Sequence, residues 1–421
     1  FGYLAKSSIS LAGIASNQAA QLTFDGAIYT GGAELVFLTG DPPRPAFARA
    51  RHLLDGWIPI VSFHWREGEV FCEIETFALP LTEDPLSPTV VFAQARLTNT
   101  GARQTTAHFA AATRFRGEDH RFGGLRPFPF SPDWTYEIRD GALIRDGKLI
   151  LLYPREATAF EAVPGESRKG AFAGRELSIT ERAEVGVARL GGRLGPRESR
   201  SFVFRIPVAP LDLSAPGAGE TLRAIRAADY GQFRARAEEL WRARMRPGAT
   251  LLMPERKVLD THRASLMFTW QAIWQRDGQW IQGVNKFQYR GFWLRDGAYI
   301  LAAYDSWGHH DVTRRLLEVY PRYQTAGGLF SSYPGQFDGF GQALYILGRH
   351  ALFTGDTEWA RQAALPLFPP AFDWLRRARA GDPFVLMPAT DVQDNEFIRG
   401  HYTGHNLWAL LGMRTAIRAA T

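Results

Sequence analysis

The hydrophobic pattern of this chain changes period once, near its middle. Before it, apolar residues recur at every second position. Val70, Cys72 and Ile74 share one face of Glu69–Glu75, with glutamates mostly on the other. Val91, Ala93, Ala95 and Leu97 make a second one-faced set. Asn99-Thr100-Gly101 reads as the turn that follows, and 104–113 as the returning strand. Leu149 to Tyr153 is a short buried run. Gly195 to Ser199 is a turn ahead of the last clear strand, Phe202 to Ile206. Many short strands between turn signals predict a large antiparallel β-sandwich over 1–218.

A breaker cluster, Ala215-Pro216-Gly217-Ala218-Gly219, ends that pattern. Residues 219–249 then read as a linker helix with Leu222, Ile225, Phe233, Leu240 and Trp241 as its apolar positions. Pro247-Gly248 stops it. From 250 the period becomes helical: Val258, His262, Leu266, Trp270 and Ile273 fall on one face. Helices are expected at about 256–275, 294–308, 310–324, 339–354, 357–379 (interrupted at Pro369-Pro370) and 402–419. They make three helical hairpins in a domain over 250–421. The loops before the second, fourth and sixth helices are long and rich in polar and aromatic residues, whereas the loops after them are tight. Long loops on one side of a repeat array usually mark its functional face.

Composition narrows the classes. The 421 residues suffice for two domains. With 45% hydrophobic and 22% charged residues the chain is globular. Of its 49 basic residues only five are Lys, and the arginines are scattered among acids, so the net charge of +6 predicts no nucleic-acid partner. Cys72 is the only cysteine, which excludes an intramolecular disulfide and a cysteine metal site. No apolar run has the length of a membrane span, so no membrane partner is expected. The chain opens on Phe1, and its compartment and oligomeric state are not legible.

Candidate chemistry concentrates in the three long loops. The first, Phe287-Gln288-Tyr289-Arg290-Gly291-Phe292-Trp293-Leu294-Arg295-Asp296-Gly297-Ala298-Tyr299, combines aromatic faces, planar cations and one acid. Such a set holds a polyhydroxylated ring: aromatic faces stack on its C–H surface, and Arg and Asp bind its hydroxyls. It also reads as a buried ion pair under an aromatic cluster. The second loop brings Asp338 and Gln342, and the third brings Asp391, Asp394, Glu396 and His401. Singly, each acid also reads as a cap or turn residue. Gathered from distant positions beside aromatics, they suggest acid/base work on a sugar. His401 and His405 have metal-ligand spacing, but Tyr402 follows the first of them where a Glu would stand. They are read as hydrogen-bond partners, and neither metal nor cofactor is expected. His52, His64, His108 and His120 are dispersed and read as ordinary residues.

The segment Tyr289-x-x-x-Trp293-x-Arg295-Asp296-x-Ala298, followed by Asp338-Gly339-x-x-x-Ala343-Leu344 and an acidic loop, resembles the six-hairpin glycosidases, the glucoamylase-type enzymes above all. The resemblance implies an N-terminal β-sandwich and a linker helix ahead of an α/α toroid, the (α/α)6 barrel. Tyr289, Trp293, Arg295 and Asp296 match the family's first motif, whose Arg-Asp pair is implied to grip the sugar at the cleaved bond, and Asp338 matches its second. Gln342 and His401 are read beside them as further substrate-binding residues. Glu396 stands where the family's general acid would be, with Asp394 as second candidate and Phe397 as an apolar neighbour that would keep the acid protonated. The chain departs from the family here, having Asp394-Asn395-Glu396 for the usual Trp-Glu or adjacent acidic pair. The implied activity is inverting hydrolysis of oligosaccharides or glycoconjugates, with carboxyls about 6.5–9.5 Å apart. The alternatives are an inverting phosphorylase, a non-catalytic glycan-binding protein, and a helical-barrel epimerase that would use His401 and His405. Three hairpins of six are visible. The ring, and the general base with it, are expected to continue beyond Thr421, and the piece alone is expected to be inactive and prone to aggregate. Sugar and linkage cannot be read.

Overall fold

The computed structural model describes residues 9–421 except 24–25, 31–33, 47–49, 115–117, 122–123, 128–135, 158, 164–184, 287–290 and 393–396. Tyr289, Asp394 and Glu396 lie outside the described residues. The chain divides into two compact units. One comprises the described residues within 1–244, 253–271 and 286–288, and the other those within 245–252, 272–285 and 289–421.

The first unit is built on two antiparallel sheets. One has eight strands and runs from Ile9–Leu11 through Glu34–Thr39 and Phe109–Arg114 to Ala159–Val163. The other has nine, with Ile58–Glu67, Val70–Pro80, Thr89–Asn99 and Ser199–Pro207 as long neighbours. Val70–Pro80 pairs with Thr89–Asn99 so that Cys72 faces Leu97 and Ile74 faces Ala95. All four are buried, which is the alternation seen in the sequence. The sheets meet through aromatic side chains. Phe37 of the first lies 5.8 Å from Phe204 and 6.4 Å from Phe63 of the second, and Phe109 lies 6.3 Å from Phe202. Each such side chain taken from water stabilises the unit by roughly 1.5–3 kcal/mol.

The expected single linker helix is two helices, α1 (Ala218–Ala227) and α2 (Tyr230–Met245). Ala228 turns extended, and the Asp229 carboxylate accepts the Gln232 N–H at 2.8 Å. That Asp caps a new helix where continuation of the old one would leave it mid-helix. α2 is bonded to the sheet beneath it. Glu75 accepts from Tyr230 Oη (2.5 Å) and from Arg234 Nε (2.7 Å), while Phe233 packs on Phe92 at 4.8 Å. α3 (Arg256–Gln271) lies in the same unit, where Gln271 Nε2 donates to the Ala12 carbonyl at 3.2 Å. It ends before the expected 275. Ile273–Arg276 and Gln279–Gln282 form a hairpin across Asp277-Gly278, both at positive φ (51° and 76°). This is the geometry of a type I′ turn.

The second unit is helical: α4 (Leu294–Ser306), α5 (His310–Leu317), α6 (Asp338–Thr354), α7 (Phe368–Arg379) and α8 (Thr403–Ala420). α5 turns back along α4, for Thr313 Oγ1 donates to the Leu301 carbonyl at 3.2 Å. α7 returns along α6, with Trp374 4.8 Å from Phe340 near its start and Trp359, ahead of α7, 4.6 Å from His350 near its end. α6 and α8 run parallel in close backbone contact. A Cβ built on Gly341 would lie 2.1 Å from the Trp408 carbonyl carbon, and one on Gly348 2.9 Å from the Thr415 oxygen. The third expected helix stops at Leu317 and gives way to a 3-10 turn over Tyr320–Tyr323. The fifth is broken into short turns before α7. Pro321, Pro366, Pro369 and Pro370 lack the N–H that a continuing helix needs. The outer face of α8 exposes Leu407, Leu410, Leu411 and Ile417.

Candidate functional site

The starts of α4 and α6 lie together. Arg295 Nη1 donates to Asp338 Oδ2 at 3.1 Å, and its Nη2 lies 3.6 Å from Asp296 Oδ2. The guanidinium therefore stands between two carboxylates, each in the first turn of a helix. An acid there is favoured by the helix dipole, and Asp338 Oδ1 also accepts the Gly339 N–H at 2.8 Å. The pair is partly shielded, with side-chain exposure of 25% for Arg295 and 12% for Asp338.

The loop before α6 is fastened to α4. Leu294 N–H donates to Ser332 Oγ at 3.1 Å, and Tyr333 stacks on Trp293 with centroids 5.9 Å apart. Tyr333 is exposed, so the stack offers an aromatic surface beside the Arg295 cluster. The loop before α8 is fastened in turn to the loop before α6, because Thr390 Oγ1 donates to the Gly335 carbonyl. Thr390 and Gly400 bridge the base of that loop. Three loops distant in sequence are thus tied in series at one end of the helices.

Of the residues singled out from sequence, Trp293, Arg295, Asp296 and Asp338 come together. Gln342 follows Asp338 by one turn of α6 and is buried, and its Oε1 has no hydrogen-bond partner among the described residues. Gln336 Nε2 and the Tyr320 hydroxyl are buried in the same state. Burial pushes the Tyr320 phenol far above its ordinary range. Unmet buried polar atoms of this kind are where a bound molecule or water would find partners. His401 is engaged within its own loop: Nδ1 donates to the Met387 carbonyl at 2.6 Å, and Nε2 lies 3.6 Å from Asp382. The N–H groups of Leu386 and Phe384 hold the Asp382 carboxyl below the usual range. Asp391 is exposed and 3.3 Å from Arg399. Phe397 is 87% exposed and does not supply the apolar surrounding expected of it.

Sequence reasoning passed over Ser332, Tyr333, Gln336 and Tyr320. Tyr333 and Ser332 stand in the loop it singled out, but only the fold shows that they meet α4. It also passed over a second cluster. Asp305, His310 and His350 bring a carboxylate oxygen and two ring nitrogens within 4.8 Å of one another. No short motif announces them, since His350 comes from a different helix.

No protein-family model matches the chain, and no curated protein matches it significantly. Solved structures give distant likenesses. A protein assigned as a kojibiose phosphorylase, from the human microbiome, is 7% identical with a TM-score of 0.43, over 85% of this chain and 46% of its own. A family GH92 α-mannosidase from Bacteroides thetaiotaomicron is 10% identical with a TM-score of 0.37, over 86% and 58%. A family GH92 glycosyl hydrolase is 9% identical with a TM-score of 0.35, over 94% and 64%. The chain spans less than two thirds of each. At TM-scores below 0.5 these likenesses fix neither fold nor activity. Among the described residues no helix is long and apolar enough to cross a membrane.

Proposed function

We propose that the protein is a carbohydrate-active enzyme and, within that class, a glycoside hydrolase acting on oligosaccharides or glycoconjugates with inversion. The observation that carries this reading is the Arg295 guanidinium set between Asp296 and Asp338, beside the Trp293–Tyr333 stack, of which Tyr333 is exposed. A planar fork with flanking carboxylates binds adjacent hydroxyls, and an aromatic face binds the C–H side of a ring. The wider layout belongs to the same proposal: a sandwich over 1–218, a linker over 219–249, and from 250 the hairpins of an (α/α)6 toroid. The parallel α6 and α8, with α7 in the intervening sequence running back along α6, support it.

In this reading Trp293, Arg295, Asp296 and Asp338 hold the sugar, with Tyr289 and Gln342 beside them. Glu396 gives its proton to the glycosidic oxygen as that oxygen leaves with the bonding electron pair. Water attacks the anomeric carbon from the opposite face, and a second carboxylate takes the water's proton. Asp394 is the second candidate for the acid. Because Phe397 is exposed, the bound sugar itself has to supply the dry surrounding that keeps the acid protonated. His401, held by Met387 and Asp382, gives the epimerase alternative less support.

The test is turnover of aryl glycosides and oligosaccharides by the full-length protein, with and without phosphate. Hydrolysis without phosphate that is lost in Glu396→Gln is the expected result. Phosphate-dependent turnover would make the protein a phosphorylase. Binding without turnover would make it a glycan-binding protein, and neither binding nor turnover would overturn the reading.

A further inference from the structure

The second cluster of the helical unit lies at the far end of α4 and α6. Asp305 follows Arg295 by ten residues and His350 follows Asp338 by twelve, which separates the ends by about 15–18 Å at the helical rise. Asp305 Oδ1 is 2.9 Å from His310 Nδ1 and 3.0 Å from His350 Nδ1, and Oδ2 is 3.0 Å from the same His350 nitrogen. The Asp305 side chain is 0% exposed, that of His350 2%, and that of His310 39%. A carboxylate so buried needs a compensating cation. Among the described residues no Arg or Lys pairs with it. The nearby Arg349 donates to Ser306 Oγ, and Arg314 pairs with Asp356. α4 and α6 both direct their carboxyl ends here, and helix dipoles favour positive charge at that end.

We infer that Asp305, His310 and His350 bind a first-row divalent metal ion of the Zn2+ type. Two imidazoles and one carboxylate suit Zn2+ and its neighbours, and three protein ligands leave a position for water. Bonds of about 2.0–2.2 Å put neighbouring ligands of a tetrahedral ion somewhat over 3 Å apart. The two Asp305–imidazole distances reach that spacing with a small outward shift, and all three donors already lie within 4.8 Å of one another. Each imidazole would coordinate through Nδ1 and carry its proton on Nε2. Trp359 packs edge-on against His350 at 4.6 Å and fixes that ring, whereas the partly exposed His310 gives the ion its route in. The ion would join the end of α4, the start of α5 and the end of α6, so its role is to staple three helices. It takes no part in the chemistry proposed at the opposite end.

The purified chain, stripped with chelator, is titrated with Zn2+ by calorimetry and with Co2+ by visible absorption, and melted with and without each metal. Uptake of one ion, Co2+ bands of four- or five-coordinate N/O ligation and a raised melting temperature are expected. His310→Ala should weaken uptake at least tenfold, with the metal-free fold of the variant checked by circular dichroism. His310→Cys should restore uptake. No uptake by the intact chain overturns the inference. It falls equally if His310→Ala binds as well as the parent. No glycoside is needed, so the result stands apart from the fate of the hydrolase proposal.

Discussion

Arg295 Nη1 donates to Asp338 Oδ2 at 3.1 Å across 43 residues, joining the first turns of two neighbouring helices. Neither side chain is more than a quarter exposed, so solvent screens the pair less than an open surface pair. A double-mutant cycle of Arg295→Ala and Asp338→Asn should give a coupling of about 1–3 kcal/mol. It would be read from urea unfolding followed by far-ultraviolet circular dichroism. A coupling near zero would mean that the two charges are held by other partners.

The same guanidinium separates shape from charge in the proposed sugar site. Arg295→Lys keeps the charge and loses the planar fork. Turnover on a responsive glycoside should fall by roughly tenfold or more, the size of one lost bidentate contact, with the unfolding midpoint nearly unchanged. Arg295→Lys at parental activity would remove the fork from the site.

Glu396→Gln should cut turnover by about 10²–10⁴-fold while leaving glycan affinity close to the parent's. Single-turnover rates and equilibrium binding measure the two effects separately. A small effect here, with a large one for Asp394→Asn, would transfer the acid role to Asp394.

Cys72 gives a pH prediction for the sheet unit. Burial first, and then the charge of Glu67, raises its thiol from the ordinary 9.0 to about 12. The thiol favours the folded state only while protonated. Its contribution is full below pH 9 and is lost as pH rises toward about 12. The native chain should resist iodoacetamide at pH 8–9 and take up one equivalent once unfolded, as followed by mass spectrometry. Rapid native alkylation would show that the strand pair around Cys72 opens.

Gly341→Ala tests the contact of α6 and α8. The added methyl meets the Trp408 carbonyl carbon at 2.1 Å and its oxygen at 2.2 Å, atoms that cannot rotate away. The helical unit should lose about 1–3 kcal/mol or fail to fold. Gly404→Ala, on the same α8 with open space around it, serves as the tolerated control.

The chain declared much of this in advance, and the silent parts have a common cause. The alternation at Val70, Cys72 and Ile74 and the helical spacing after Leu294 record which side of an element meets the core, a local property. The starts of α4 and α6 were legible for the same reason. Arg295-Asp296 and Asp338-Gly339 are helix openings marked by acids. Apart from two local breaks, what the sequence leaves silent depends on a second segment. The Ala228-Asp229 break between α1 and α2 and the Asp277-Gly278 hairpin could have been seen, since Asp before a helix and Asp-Gly between apolar pairs are ordinary signals. Helical periodicity overrode them. The stack of Tyr333 on Trp293, the tie from Thr390 to Gly335 and the meeting of Asp305 with His350 leave no such local trace.

The bare crossing of α6 and α8 has a consequence for the loops above it. Helices that mesh through side chains can trade one rotamer for another and creep along each other. Gly341 and Gly412 present backbone to backbone, and a Cβ on Gly412 would lie 2.2 Å from the Gly341 oxygen. A slip of one residue would drive a neighbouring side chain into a peptide unit, so the crossing acts as a keyway with a single seated position. Asp338 opens one of these helices, and Tyr402 leads directly into the other. The height of the Asp338 carboxylate relative to the base of the 387–401 loop is therefore set by two residues that have no side chains at all.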